Sequence, residues 1–455
     1  MKQKRIAVIG DNLDAIIFLK KCIDSEYLVD WYRSERLAGH FVGVRTCNKY
    51  LDVGMVLYES EFGNIPQIEI QKYNHEYGFE SLIFQQSVNS WIIEQIPDLV
   101  PISIKTLNSK NDKIDDFYIS DSLSALNELS TEEQIQISNE IRQRSSLFAN
   151  KSQFHPQYKR DNPNSKSTLE EYIRTYISPH FFEIFYQDFM NCILGENAKN
   201  LFTVNHRRYW LPLYWPESVH EAINNSANSN TLCRPFLHSS SMSISHWINS
   251  LIVPLTESQY IKPTISRDFL QKFFEENDDY DMTFYFVSDA NMRRIREHSG
   301  LSSTLELKNE VVTNTNSIRI VHFCTTENLN ETLFLQKPIQ NCYRINYRKY
   351  SNEGSGNVSF EFGNSARLIE DDELLKIASS IAKLFGTELL CNGFVSRAML
   401  PTNGMSTDKA QRILEIDELN DYFLELNTYL YPSHSSGMAL NDNILRGLSA
   451  IKRLA

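Results

Sequence analysis

Residues 5–15 read Arg-Ile-Ala-Val-Ile-Gly-Asp-Asn-Leu-Asp-Ala, and the predicted architecture of the chain starts from this stretch. The apolar, β-branched run over residues 5–9 predicts a buried parallel strand that ends at Gly10. Apolar residues recur at helical spacing over residues 13–22, and residues 27–32 have the composition of a second strand. Together they predict a β-α-β unit, which is typical of α/β proteins with a parallel sheet.

The turn between the first strand and the helix has the pattern of a dinucleotide-binding loop. Gly10 and Ala15 match the first and third positions of G-x-G-x-x-G/A, and Asn12 stands at the second. A turn of this kind lets backbone amides at a helix N-terminus contact a pyrophosphate. We therefore predict that Gly10, Asn12, Leu13 and Ala15 contact a dinucleotide.

Two further motifs follow the second predicted strand. Residues 36–40 read Arg-Leu-Ala-Gly-His, and residues 52–54 read Asp-Val-Gly. The order of these motifs resembles that of the superfamily of flavin-containing amine oxidases, protoporphyrinogen oxidases and UDP-galactopyranose mutases. The resemblance implies that the chain binds FAD, and Arg33 falls near the position of the family's ribose-binding glutamate. The implied cofactor contacts in this region are Arg33, Arg36, Leu37, Gly39, Asp52 and Gly54.

The resemblance extends to the end of the chain. Residues 437–447 resemble the family's last flavin contact, where a loop leads into a final helix that points its N-terminus at the flavin. The implied contacts there are Leu440, Asn441 and Asp442. A predicted helix over residues 442–454 agrees with this interpretation.

A candidate substrate region lies over residues 342–350, Cys-Tyr-Arg-Ile-Asn-Tyr-Arg-Lys-Tyr. It resembles a paired-strand segment of the mutase-like branch that contacts a nucleotide-sugar diphosphate. Arginine makes bidentate contacts with phosphate, and tyrosine stacks on a base or sugar. The candidates are Tyr343, Arg344, Tyr347 and Arg348. The alternative is an ordinary solvated strand face.

Composition excludes several other classes of function. The net charge of −12 argues against general binding to nucleic acid or anionic membranes. The sequence has no apolar run long enough to span a bilayer and no signal peptide, so we expect a cytoplasmic protein. The seven cysteines form no CxxC pair and the histidines have no metal-ligand spacing, so neither a disulfide framework nor a metal site is predicted.

The predicted fold class is α/β, with a Rossmann-type FAD-binding domain into which an α+β substrate domain is inserted. Residues 1–60 would form the first FAD-binding segment, and residues 61–257 a largely helical substrate or cap region. Residues 258–370 would supply return strands and a substrate sheet, and residues 371–455 the last FAD-domain segment. Predicted helices over residues 82–96, 131–148, 169–194 and 371–385 underlie this division.

The predicted function is that of an FAD-dependent oxidoreductase or a flavin-dependent, mutase-like enzyme acting on a small molecule. By resemblance the substrate is a nucleotide sugar or an amine. No catalytic side chain is assigned, although His206, His220, His238 and His246 lie in one aromatic-rich region and a histidine there can act as a general acid or base. The chain is also expected to form homo-oligomers or to bind a protein partner.

Three alternatives stay open at this point. Asp11 and Asp14 would repel a pyrophosphate, so the strand–turn–helix can be structural only. Together with Asn12 and the missing ribose acid, they motivate a second alternative, in which a pseudoenzyme with weak or no FAD binding acts through a protein partner. The third, an NADP-dependent reductase, rests on Arg33 alone.

Overall fold

The computed structural model describes most of the chain, and every structural statement below concerns those residues. They are residues 4–46, 49–53, 57–59, 82–107, 113–115, 126–127, 129–144, 168–201, 211, 216–225, 236–276, 278–300, 316–400, 419, 421–424, 426–431 and 440–454.

The described strands are numbered in chain order. They are β1 (Arg5–Ile9), β2 (Leu28–Arg33), β3 (Val44–Thr46), β4 (Lys49–Leu51), β5 (Tyr58–Glu59), β6 (Leu99–Pro101), β7 (Ser103–Leu107), β8 (Lys113–Asp115), β9 (Phe236–Ser239), β10 (Ile261–Ile265), β11 (Met282–Tyr285), β12 (Asn316–Thr325), β13 (Glu331–Ile339), β14 (Cys342–Arg348), β15 (Gly356–Phe362), β16 (Phe394–Leu400) and β17 (Thr428–Leu430).

The described α-helices are numbered in the same way. They are α1 (Leu13–Asp24), α2 (Leu82–Gln95), α3 (Thr131–Arg144), α4 (Leu169–Tyr172), α5 (Pro179–Phe185), α6 (Gln187–Leu194), α7 (Pro216–Asn225), α8 (Ile244–Glu257), α9 (Phe269–Glu276), α10 (Asp289–His298), α11 (Asp371–Leu384) and α12 (Leu440–Ile451).

A five-stranded parallel sheet in the order β10-β2-β1-β11-β17 contains the predicted β-α-β unit. Helices α1, α8 and α12 cover one of its faces, while α9 and α10 cover the other. Burial on both faces explains why β1 and β11 consist almost entirely of apolar residues. The chain is therefore a mixed α/β protein with a parallel sheet, as predicted.

A second, seven-stranded sheet has the strand order β16-β12-β15-β14-β13-β7-β8. Its pairs are antiparallel except for β13 with β7. The aromatic helices α5 and α6 pack on one face of it, and α11 packs on the other. The sheet continues past residue 370, because β16 pairs with β12 along seven residues.

The predicted helix over residues 169–194 is helical but interrupted. A π-helical turn over Ile173–Ile177 follows α4, and Ser178 then takes an extended conformation (φ −166°). The Ser178 side chain accepts the Phe181 N–H at 2.9 Å and so caps α5, in which Pro179 is the first residue. The break is thus a new helix start rather than a distortion of one long helix.

None of the helices in the described part of the chain combines the length and apolar character needed to cross a bilayer.

Candidate functional site

The turn after β1, which the sequence predicts to be a dinucleotide loop, requires glycine at position 10. Gly10 has a φ of +146°, and a Cβ on it would come within 2.1 Å of the Phe286 carbonyl oxygen, so only glycine fits. Asn12 is the N-cap residue of α1, yet its side chain makes no capping hydrogen bond to the helix. The N-terminus of α1 therefore lies at the carboxyl edge of the parallel sheet without a bond from its N-cap side chain, although Asp14 Oδ1 accepts the Ala15 N–H at 3.0 Å.

Asp14 does not present a free charge to this turn. Its Oδ2 accepts a hydrogen bond from Arg446 Nε of α12 at 2.7 Å, and its side chain is fully buried. Burial raises the pKa of Asp14, and the neighbouring Arg446 opposes that rise. Gly447 permits this contact between the helices, since a Cβ there would lie 2.9 Å from the Asp14 carbonyl oxygen.

Asp11 is engaged on the other side of the turn. Its carboxylate accepts a hydrogen bond from the Ser34 hydroxyl, and its carbonyl oxygen accepts the Ala38 N–H at 2.6 Å. Burial raises the pKa of Asp11. These bonds attach the loop after β2 to the glycine turn.

Arg33, the last residue of β2, is buried beside the same turn. Its guanidinium lies over the Trp31 ring, 4.8 Å from the centroid, and Nη1 donates to the Ser34 carbonyl. Burial lowers the pKa of Arg33. Within the described residues, Arg33 Nε has no hydrogen-bond partner. This unsatisfied donor is the feature that a bound ligand would complete.

The predicted motif over residues 36–40 forms the turn that follows. Ala38 and Gly39 both have positive φ, +54° and +55°. Leu37 is buried in the core under α1, whereas Arg36 and Gly39 are exposed. The structure thus brings Gly39 and Arg36 to the surface of the loop that Asp11 holds.

Asp52 lies at a different place, at the N-terminus of α8. Its Oδ1 accepts the Ser245 N–H at 2.8 Å and the Ser245 hydroxyl at 2.6 Å, while the Tyr350 hydroxyl lies 3.4 Å from Oδ2. Loss of contact with water raises the pKa of Asp52. Gly54, the other predicted contact of this motif, lies outside the described residues.

The region where Asp52 meets the seven-stranded sheet is the second candidate site, here called the polar junction. A cavity of about 30 Å³ lies there, lined in part by Asp52, His322, Arg348, Tyr350 and Asn357. That volume holds a water molecule or the tip of a ligand. The polar junction comprises Asp52, Tyr58, His238, His322, Arg348, Tyr350 and Asn357.

Several buried polar atoms at the polar junction have no hydrogen-bond partner among the described residues. They are the Tyr58 hydroxyl, both ring nitrogens of His238, and Asn357 Oδ1. Tyr58 is 1% exposed and His238 is 3% exposed, and the His238 ring lies 6.5 Å from that of Tyr350. Unsatisfied buried groups cost about 1–3 kcal/mol each. Because Asn357 lines the cavity and the His238 ring lies next to Tyr350, which also lines it, the cluster is a candidate ligand site.

Burial keeps both histidines of the polar junction neutral. It lowers the pKa of His238 to about 4, with the positive charge of Arg348 as a second cause, and it lowers the pKa of His322 to about 4. His322 Nε2 pairs with the Ser396 hydroxyl at 2.8 Å, and its ring stacks on Phe394. Neutral imidazoles can both donate and accept a hydrogen bond.

Of the four predicted substrate residues, only Arg348 lines the cavity. Tyr343 and Arg344 instead bond to the buried Glu361, at 2.9 Å from the Tyr343 hydroxyl and 2.5 Å from Arg344 Nη2. Tyr347 faces the other side of the sheet, toward α11, where its hydroxyl pairs with Thr387. The alternative of a solvated strand face is wrong, because six of the seven residues of β14 are buried and the seventh, Arg348, is partly buried.

The C-terminal candidates lie in the first turn of α12. Leu440 is buried in the core shared with α1, and Asn441 and Asp442 follow it. Asp14, at the start of α1, contacts Arg446 and Gly447 in the middle of α12. Tyr27, just past the end of α1, donates its hydroxyl to the Leu454 carbonyl beyond the end of α12. The two helices therefore run in the same direction, and the start of α12 lies on the same side of the pair as the glycine turn.

Sequence reasoning missed the residues that support these sites. Arg446 forms an ion pair with Asp14, and Glu361 forms one with Arg344. Neither Arg446 nor Glu361 belongs to a recognised motif. Tyr58 also gave no signal. His238 was one of four candidate histidines. Only the pairing of β5 with β9, which brings His238 near Tyr58, distinguishes it from the other three, and the sequence does not show that pairing.

The sequence matches no protein-family model and no curated protein. Among solved structures, the crystal structure of reduced UDP-galactopyranose mutase aligns with 99% of this chain and 95% of its own, at 11% identity and a TM-score of 0.65. The chain shares the fold of that mutase. Putrescine oxidase with bound putrescine aligns over 99% of both chains, at 8% identity and a TM-score of 0.50. At the level of the fold, the predicted resemblance is confirmed.

Proposed function

We propose that the chain is a flavin-dependent enzyme that binds FAD along the carboxyl edge of its parallel sheet. The observation that carries the proposal is the turn between β1 and α1, where only glycine fits at position 10 and the Asn12 side chain does not cap α1. Backbone amides at such a terminus favour a pyrophosphate. The charge of Asp14, which would oppose the pyrophosphate, is paired with Arg446.

The residues along this edge fit an extended dinucleotide. Gly10, Asn12, Leu13 and Ala15 would hold the pyrophosphate. Arg33, with its unpaired Nε, would lie on the adenosine side. The remaining proposed contacts are Arg36, Leu37 and Gly39 in the following loop, and Asp52, Gly54, Leu440, Asn441 and Asp442 toward the flavin.

The polar junction is the proposed substrate end. A bound flavin supplies hydride or electron transfer, and the protein supplies position and electrostatics. Here Arg348 presents a positive charge, while neutral His238 and Tyr58 offer hydrogen bonds to a hydroxyl-rich group. Asp52 and Arg348 line the same cavity, so charge alone does not select the ligand, and the hydrogen-bonding groups favour a sugar-like small molecule such as a nucleotide sugar. Tyr343, Arg344 and Tyr347 would support this site from within the sheet.

The proposed domain division follows from the two sheets. The parallel sheet would be the FAD-binding domain, built from the start of the chain, the return strands β10 and β11, and the C-terminal segment. The seven-stranded sheet with its aromatic helices would be the inserted substrate domain. Because β16 belongs to the seven-stranded sheet, we propose that the substrate domain extends to the end of β16 at Leu400.

Substitution of Asn12 tests the pyrophosphate position with the fold held constant. Aspartate is as good an N-cap as asparagine, so Asn12→Asp should keep the thermal stability of the chain while its charge lowers FAD affinity by about tenfold or more. Asn12→Gly is the matched control and should bind FAD at least as well as the native chain. FAD affinity is measured by quenching of flavin fluorescence.

Equal FAD affinity in both variants would contradict the pyrophosphate placement. If the native chain and both variants bind no flavin, the partner-binding alternative is favoured instead. Capture of a specific protein by the native chain would then be the next experiment.

A further inference from the structure

Two cysteines far apart in the sequence lie against each other at one end of β12. The backbone N–H of Cys324 donates to Cys391 Sγ at 3.2 Å. The Leu390 N–H donates to the Cys324 carbonyl at 2.9 Å, and Thr325 forms an antiparallel bridge with Leu389. Cys324 and Cys391 therefore sit on neighbouring, antiparallel stretches of backbone.

This spacing suits a disulfide. Neighbouring antiparallel strands lie about 4.7–4.9 Å apart, and a disulfide spans Cα atoms about 4.4–6.8 Å apart. Cys391 Sγ already contacts the backbone from which the Cys324 side chain projects. The bridge between Thr325 and Leu389 puts Cys324 opposite Leu390, one residue before Cys391. Closure of a disulfide therefore requires rotation about the side-chain torsions and a local adjustment of the irregular backbone at residues 391–393.

The two paired cysteines differ from the other described cysteines in their exposure to solvent. Cys391 is exposed and Cys324 is partly exposed, whereas Cys22, Cys192 and Cys342 are buried. Burial raises the pKa of these three thiols, that of Cys192 to about 11. Because the thiolate is the reactive form, an oxidant in solution would meet the pair before the buried cysteines.

We propose that Cys324 and Cys391 are a reversible thiol–disulfide site that reacts with small oxidants such as glutathione disulfide. The exposed Cys391 thiolate attacks one sulfur of the oxidant, which releases one glutathione thiolate and leaves a mixed disulfide on Cys391. The Cys324 thiolate then attacks Cys391 Sγ and displaces the second glutathione. Two protein thiols are oxidised to one disulfide, and one glutathione disulfide is reduced to two glutathiones.

The disulfide would hold the polar junction from its outer edge. His322 and Cys324 project from the same face of β12, since they are two residues apart on a regularly paired strand. The segment after Cys391 leads directly into Phe394, which stacks on His322 with ring centroids 4.8 Å apart. Oxidation would therefore tie the start of β16 to the strand that carries His322.

Mass spectrometry after digestion at glutamate tests the proposal on the full chain. Cleavage after Glu310 and Glu327 isolates Cys324, and cleavage after Glu388 and Glu415 isolates Cys391, each without another cysteine. After treatment with glutathione disulfide, we expect the two peptides to be joined and two titratable thiols to be lost. Dithiothreitol should restore both, and Cys391→Ser should abolish the crosslink while the buried cysteines keep their thiols.

Three results would overturn the proposal. One is a stable glutathione adduct on Cys391 with the Cys324 thiol intact. Another is a crosslink from either residue to Cys47 or Cys233. The third is an equal loss of thiols in the native chain and in Cys391→Ser. A Cys324→Ser variant is the control for the first result. It should accumulate the mixed disulfide on Cys391, whereas the native chain should convert that mixed disulfide into the Cys324–Cys391 disulfide.

Discussion

Asp14 and Arg446 form a salt bridge of 2.7 Å between the first and last described helices, although 432 positions separate them in the chain. Asp14 is fully buried and Arg446 is 6% exposed. The pair neutralises one of the two aspartates near the glycine turn and holds α12 against α1. The proposed pyrophosphate position therefore faces one buried carboxylate that is paired with a cation, while the Asp11 carboxylate accepts a hydrogen bond from Ser34.

Loss of one partner of this pair should destabilise the chain strongly. We expect Arg446→Met to lower the free energy of unfolding by about 3–5 kcal/mol, because it leaves a buried carboxylate without a cation. The double variant Asp14→Asn/Arg446→Met should regain a large part of that loss. Urea unfolding of the two single variants and the double variant measures the coupling. Additive losses would mean that the two side chains do not interact.

The buried pair Arg344–Glu361 should behave in the same way within the larger sheet. Glu361 accepts hydrogen bonds from Arg344, Tyr343 and Asn346, so Glu361→Gln should cost about 3–5 kcal/mol of unfolding free energy. Asp268→Asn is the matched control, since it breaks an Arg–Asp pair at the surface and should cost less than about 1 kcal/mol. Similar costs in chemical denaturation would show that Glu361 is not the centre of a buried network.

Neutral, buried histidines should make stability depend on pH. The pKa of His322 is about 4 in the folded chain and about 6.5 in an unfolded one, so the unfolded state takes up the proton first. Stability should be complete above about pH 6.5 and fall toward pH 4, by on the order of 3 kcal/mol for this group. His322→Gln should reduce the slope of that part of the stability profile by roughly half, because His238, whose pKa is also about 4, still contributes. The exposed His246 supplies the control, because His246→Gln should leave the slope as it is; a native slope in His322→Gln would be the contrary result.

Two buried tyrosines, Tyr58 and Tyr343, allow a hydroxyl proposed to bind a ligand to be compared with one that stabilises the fold. The Tyr58 hydroxyl has no partner within the described residues, so Tyr58→Phe should leave the unfolding free energy unchanged or raise it by about 1 kcal/mol. The Tyr343 hydroxyl donates to Glu361, and Tyr343→Phe should lower the same quantity by about 1–3 kcal/mol. If Tyr58→Phe costs as much as Tyr343→Phe, the Tyr58 hydroxyl serves the fold, and the polar junction loses support as a ligand site.

The first fold unit is predictable from sequence because its signals are local. The predicted strand over residues 5–9 is β1, and the predicted helix from residue 13 is α1, which runs two residues longer, to Asp24. The start of α3 also has a local signal in the sequence, since the side chains of Ser130 and Glu133 each accept the other residue's backbone N–H. Strand alternation, helical spacing and caps each depend on neighbours within a few residues.

The charge pairing and the polar junction are not predictable in the same way. Glu361 is a charged residue, and charged residues are mostly exposed, yet every residue of β15 is buried. The approach of Tyr58 and His238 depends on the pairing of β5 with β9, which are short strands far apart in sequence. Such contacts arise only when distant segments fold together, so one sequence gives no local sign of them.

The most direct test of the proposed function is the absorbance spectrum of the purified full chain, with identification of any cofactor released by heat. If FAD lies along the parallel sheet, flavin bands should correspond to roughly one FAD per chain, or appear after added FAD is bound. A colourless chain that takes up no flavin from excess FAD would contradict the proposal.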